Sequence, residues 1–323
     1  MRLRLVPEQT NIDFFRFARV TLGASVVAVI LSIAAWLLIG LNFGIDFRGG
    51  TTIRTEASQP VDVAAYRAAV EAQNLGQVSI SEVFDPSFRD DQYVAMIRIE
   101  AQEGQESATG EVIQAVEAAL LAVEPSIKFT SVESVGPKVS GELIQTAILA
   151  VLAAMGAILV YIWLRFEWQF AVGAIAALIH DVILTIGIFS ILQIRFDLAT
   201  IAALLTIVGY SINDTVVIFD RLRENLRKYK TTPLQEVMNL TTNETLSRTL
   251  MTSGTTLLAL IALLILGGDV IRGFIFAITW GIIVGTYSSV YVAKNVVLML
   301  GVKRDWSKPT DGGAGTRFGN IDA

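Results

Sequence analysis

The sequence contains no cysteine and a single histidine. Without cysteine there is no disulfide, no thiolate catalysis and no Cys-ligated metal, and one histidine without neighbouring ligands cannot build a metal site. Charge is scarce as well, at 17% of residues. The local signatures of hydrolytic and nucleotide chemistry are missing: no Gly-x-Ser-x-Gly elbow, no His-Glu-x-x-His and no Walker loop. The chain therefore reads as no enzyme, with no cofactor, no metal and no nucleic-acid partner. Any work it does would draw on a partner or an ion gradient, where one charge crossing 100 mV releases about 2.3 kcal/mol.

What the chain has instead is apolar sequence, 53% of 323 residues. Six stretches reach the roughly 20 residues that cross a bilayer core of about 30 Å: 18–41, 143–164, 170–192, 198–219, 250–266 and 271–300. The first exceeds the roughly 7 to 15 apolar residues of a signal peptide and reads as a retained anchor. Arg2, Arg4, Arg16 and Arg19 precede the first span, Arg221 to Lys230 follow the fourth, and Lys303, Arg304 and Lys308 follow the sixth. With six spans these flanks share one side, which places 1–17, 220–247 and the tail 301–323 in the cytoplasm. The glycine-rich tail after Trp306 reads as disordered.

Residues 42–141 form one polar segment on the opposite side. Its periodicities predict strands at 51–57, 77–84, 93–100 and 127–135 and helices at 61–73 and 110–123. That order is the ferredoxin-like βαββαβ motif, so the fold class is a mainly α membrane protein of six helices with one external α+β domain between the first two. The charged segment 220–247 carries Leu222, Leu226, Val237 and Leu240 as apolar contacts and predicts an interfacial helix broken at Thr232-Pro233, held at lipid headgroups or used as a docking surface.

Asp214 is the most informative residue. A carboxylate within a span costs roughly 2.5 to 3.5 kcal/mol and usually marks a functional pathway. The fourth span runs inward and the fifth enters from the cytoplasm, so Arg248 lies at similar depth and can meet Asp214, in this chain or across an interface. Beside Arg a carboxylate is held charged, while apolar surroundings favour its neutral form; a site balanced between the two can load and release a proton. The plainer reading has Arg248 snorkelling to the surface and Asp214 bonding a neighbouring helix. Asn213 reads as interhelical glue, and His180-Asp181 in the third span as either a relay step or a satisfied polar pair. Gly273, Ala277, Gly281 and Gly285 form a small-residue stripe for close helix packing, against which helix the sequence does not say. Asp46 and Arg48 read as the charged start of a turn in which Gly49 and Gly50 supply unusual backbone angles.

Three strings then carry a resemblance: Phe43-Gly-Ile-Asp-Phe-Arg-Gly-Gly-Thr51, Val135-Gly-Pro-Lys-Val-Ser-Gly-Glu-Leu143 and Gly209-Tyr-Ser-Ile-Asn-Asp-Thr-Val-Val-Ile-Phe-Asp-Arg-Leu-Arg-Glu-Asn225. In this order they closely resemble the SecD/SecF family of bacterial protein export. The resemblance implies a fold like half of a resistance-nodulation-division transporter in the inner membrane, with 42–141 in the periplasm. It also implies pairing with a SecD chain, association with the SecYEG channel, and use of the proton-motive force to promote translocation of polypeptides. Protons, membrane lipids and the exported chain then count among its partners. Asp214 and Arg248 match the residues that matter for proton flow in the family, whose principal acid is assigned to SecD; on that pattern Arg248 faces the SecD acid. Asp46, Arg48, Gly49 and Gly50 become the junction coupling the membrane helices to the external domain. A half-transporter for lipids or drugs shares this fold but carries a second large external loop, for which 267–272 is too short. A passive assembly factor would need no titratable pair.

Overall fold

The computed structural model describes residues 10–73, 75, 78–100 and 110–302. Arg2, Arg4, Lys303, Arg304, Lys308 and the glycine-rich tail lie outside the described residues.

The external domain follows from two periodicities. In β1 (Gly50–Ala57) Thr51, Ile53, Thr55 and Ala57 are buried in strict alternation, which one covered face of a sheet requires. In α3 (Val63–Glu71) Tyr66 and Val70 are buried four apart, and Asp62 caps it by accepting from the amides of Ala64 and Ala65 at 3.0 Å. β2 (Val78–Val83), β3 (Tyr93–Glu100), α4 (Gly110–Val123) and β4 (Lys128–Val135) complete the βαββαβ order. The sheet runs β2-β3-β1-β4 and every pairing is antiparallel, with Ile53 opposite Ile97 and Val132. Helices α3 and α4 cover one face, where Ile53, Tyr66, Val70, Ile97, Val116 and Leu120 make the core.

Six long helices build the rest: α1 (Ala18–Leu38), α5 (Pro137–Arg165), α6 (Trp168–Leu192), α7 (Leu198–Lys228), α8 (Leu234–Leu266) and α9 (Asp269–Ser288). Each is long and apolar enough to cross a membrane, and the chain is a multi-pass membrane protein. Helices α6, α7 and α9 bury about half of their spans inside the protein, whereas α1, α5 and α8 leave most of theirs on the outside. The buried polar side chains of the trio, such as Asp181, Ser211 and Ser288, therefore face one another.

Four local expectations change. The second span starts earlier, because Gly136 and the favourable first-turn Pro137 nucleate α5 at the sheet edge. The segment 220–247 is no separate interfacial helix: α7 and α8 continue as one antiparallel hairpin, turning only at 229–233 where Pro233 starts α8. Burial of Phe219, Leu222, Leu226, Val237 and Met238 in one cluster holds the two arms together. The sixth span is interrupted by a π turn, Ser289–Ala293, before a short α10 (Lys294–Leu300); such bulges concentrate at functional sites. Before β1, Asp46 and Arg48 occupy a single helical turn, α2 (Ile45–Arg48), which Gly49 at φ 76° and Gly50 at φ 126° end in the left-handed region.

Candidate functional site

Two carboxylates sit inside the trio α6, α7 and α9. Asp181 is fully buried and Asp214 is 4% exposed. Asp181 accepts from His180 Nδ1 on one oxygen at 3.0 Å, and on the other from Ser211 Oγ of α7 at 2.7 Å and Ser288 Oγ of α9 at 2.8 Å. Buried carboxylates persist where their lone pairs are met in this way. The His180 ring stacks on Tyr287, centroids 6.1 Å apart, and the Tyr287 hydroxyl bonds Ser25 and the carbonyl of Thr21 on α1. His180 Nε2 is buried with no hydrogen-bond partner among the described residues. Contacts thus run from α1 to Asp181 by hydrogen bonds at Tyr287 and His180, joined to each other through ring stacking.

Close approach makes this possible. Gly281 of the stripe lies against the side chain of Ile207, and a Cβ on Gly285 would stand 3.1 Å from Ser211 and 3.5 Å from Asp181 Oδ2. The stripe's partner is therefore α7, with Ala277 buried in the same contact. Gly273, at its outer end, is more loosely packed near Ile194.

Asp214 is held lightly. Ser253 Oγ of α8 donates to it at 3.4 Å and also bonds Thr286 Oγ1 of α9 at 2.7 Å, and the neighbouring Thr252 hydroxyl acts on it as well. The next residue of α7 makes another such contact, Thr215 Oγ1 meeting Ser289 Oγ at 2.8 Å in the π turn. Arg248 is near enough for its charge to act on Asp214, but among the described residues the two form no ion pair. Arg248 is instead exposed, lining a 490 Å³ cavity with Thr245, Glu244, Arg221, Glu224 and Asp220. Asn213 is exposed too. It shares a face of α7 with Ala202, Thr206 and Gly209, all exposed, and among the described residues nothing lies within 4 Å of a Cβ built on Gly209. Among the described residues Asn213 makes no interhelical hydrogen bond of the kind expected. Sequence reasoning missed Ser211, Ser288, Tyr287 and Glu244; the one available signal was that hydroxyls recur beside the small residues of α7, α8 and α9.

The external domain is fastened to the outer helix ends at Asp46, at Asp269 and through Arg195, whose Nη1 meets Met96 Sδ of β3 at 3.7 Å. Asp46 Oδ2 accepts from the amide of Leu198 at 3.0 Å, at the start of α7, beside paired backbone bonds joining Asn42 and Gly44 to Phe196 at 2.8 Å. Asp269, at the start of α9, accepts from Phe84 N at 2.8 Å and returns its own amide to Phe84 O at 3.0 Å, while Arg272 pairs with its carboxylate. Among the described residues no cluster of His, Asp and Glu could hold a metal.

Comparison with known proteins agrees with this architecture. Residues 115–303 match the family model described as protein export membrane protein SecD/SecF, C-terminal, and residues 34–61 match the SecD/SecF GG motif. The protein translocase subunit SecF of Cereibacter sphaeroides is 69% identical over 322 residues, 100% of this chain and 99% of that one. That of Rickettsia akari is 42% identical, covering 92% and 94%. A crystal structure of SecDF, a translocon-associated membrane protein from Thermus thermophilus, superposes with a TM-score of 0.80 at 36% identity over 93% of this chain. The present chain spans 40% of that longer one. A second SecDF structure, in a super-membrane-facing form, gives a TM-score of 0.68 at 38% identity. The chain belongs to the SecD/SecF family of protein export membrane proteins, on its SecF branch.

Proposed function

We propose that this protein is an accessory subunit of the Sec translocase that pairs with SecD and uses the proton-motive force to promote polypeptide movement through the SecYEG channel. The carrying observation is Asp214, buried in a span, loosely bonded to Ser253 and within reach of the Arg248 charge. Lightly held, it can exchange a proton without dismantling a helix contact. Asp181, fixed by three hydrogen bonds, is the structural node, and His180 with its unpartnered Nε2 is a relay step beside it.

The exposed face of Ala202, Thr206, Gly209 and Asn213 takes the SecD chain. A bare amide is costly in lipid and is satisfied by another helix. The exposure of Arg248 favours a second reading alongside the first, in which it also faces a SecD carboxylate that shares the proton. Arg16, Arg19 and the basic residues from Arg221 to Lys230 favour cytoplasmic termini and a periplasmic domain at 42–141. Movement of α7 and α9 is then delivered outward through Asp46 and Asp269.

Proton conduction tests this. In inverted membrane vesicles holding the assembled translocase, exporting complexes should dissipate an imposed pH difference, and Asp214→Asn should cut that dissipation to the level of vesicles lacking the subunit. Undiminished dissipation would remove Asp214 from the path.

A further inference from the structure

Arg248 has a second carboxylate within its own helix. Glu244 lies one turn earlier on α8, in the acid-before-base order that favours an i,i+4 ion pair, and both residues line the 490 Å³ cavity at the α7–α8 hairpin. Glu244 Oε2 already accepts from Arg221 Nε and from Asn225 Nδ2, each at 2.7 Å. Oε1 has no hydrogen bond among the described residues, and Arg248 has no ion pair among them either. The Arg248 charge acts on the inner anion, Asp214, while the outer one, Glu244, lines the same cavity as the guanidinium one helical turn away.

Arginine stays charged through any such cycle. When Asp214 takes a proton, Arg248 loses its inner counter-charge, and an unpaired cation at membrane depth is unfavourable. We propose that Glu244 is the alternate partner of Arg248, receiving the guanidinium on Oε1 while Asp214 is protonated and releasing it when the proton leaves. The proton binds and leaves an oxygen of Asp214, Glu244 remains ionised throughout, and Arg248 keeps an anion at every step. Glu244 is thus a positioning residue that acts through Arg248. The inference rests on the proton-coupled reading of Asp214 and Arg248.

The charges of Arg221 and Lys228 from α7 act on Glu244, and Asp220 and Glu224 of α7 and Arg165 from the end of α5 line the same cavity. Of these Arg221 also ties Glu244 into the hairpin, and it has an independent partner in Glu224 at 2.6 Å. A purely structural Glu244 would share its phenotype with Arg221.

The test is the pH profile of gradient-stimulated export by the complete translocase in vesicles. Glu244→Gln leaves Arg248 beside Asp214, which opposes protonation, so the midpoint should move toward acid by about one pH unit, the effect of one nearby charge. Glu244→Asp should restore it and Arg221→Gln should leave it in place. A wild-type midpoint in Glu244→Gln, with Asp214→Asn no longer stimulated by the gradient, overturns the exchange while sparing the proton reading. An equal shift in Arg221→Gln overturns it in favour of a structural bridge. Undiminished export in Asp214→Asn removes the proton reading and this inference with it.

Discussion

Ser211 Oγ donates to Asp181 Oδ2 at 2.7 Å, through an oxygen that also accepts from Ser288 Oγ at 2.8 Å. One carboxylate atom therefore joins α6, α7 and α9 at the centre of the bundle. Removing a donor leaves a buried acceptor short of a partner, at a cost of about 1–3 kcal/mol. Ser211→Ala and Ser288→Ala should each lower the melting temperature of the purified protein in detergent, and the double variant should fall further. Melting curves matching the unmodified protein would show that the node carries no stability.

The small-residue stripe is unequal along its length. A methyl at Gly281 would fall inside the Ile207 side chain, whereas at Gly273 the nearest heavy atom is 3.7 Å away. Gly281→Ala should destabilise the α7–α9 contact by about 1–3 kcal/mol, the usual cost of overpacking, and Gly273→Ala should be near neutral. Thermal unfolding of the two variants side by side decides it.

Asp269 is the clamp between α9 and the external hairpin. Asp269→Ala should free the Phe84 amide, so hydrogen exchange at Phe84 should accelerate while exchange at Ile53 and Ile97, in the domain core, stays slow. Gly268→Ala should act in the same direction, because a Cβ there meets the Asp85 carboxylate. Unchanged exchange at Phe84 in both variants would show that the hairpin is held elsewhere.

The Asp85 turn should respond to acid. Ser87 donates its hydroxyl at 2.7 Å and its amide at 2.9 Å to Asp85 Oδ1, and these bonds hold the Asp85 carboxyl below its ordinary value of 3.8. The turn's stabilisation is therefore fully present above that value and is lost as the pH falls through the lower value of the folded state. The Ser87 amide resonance should titrate with a midpoint below that of a model aspartate and lose the transition in Asp85→Asn.

The external domain was legible almost residue by residue because strand and helix periodicities differ and its turns are marked by Asp, Pro and Ser. The spans were legible from length alone. Their ends were not: past Phe219 the sequence turns polar, but Leu222 and Leu226 continue the buried stripe of α7, and packing carried the helix on where composition suggested a surface segment. Asp214 and Asp181 stood out in the sequence as charges in apolar runs. The hydroxyls that bind them did not, because Ser and Thr are frequent in packed helices and only the three-helix geometry selects Ser211, Ser253 and Ser288. The meeting of Asp214 with Arg248 was foreseen as a contact; the structure gives proximity without an ion pair and turns Arg248 toward the cavity.

The central claim, that a titratable Asp214 couples the proton gradient to export, is tested most directly by the rate of polypeptide export in vesicles with and without an imposed gradient, comparing the unmodified subunit with Asp214→Asn in the assembled translocase. The account predicts that the variant exports at the same rate in both conditions, about that of the unmodified subunit without a gradient. Acceleration by the gradient equal to that of the unmodified subunit would contradict it.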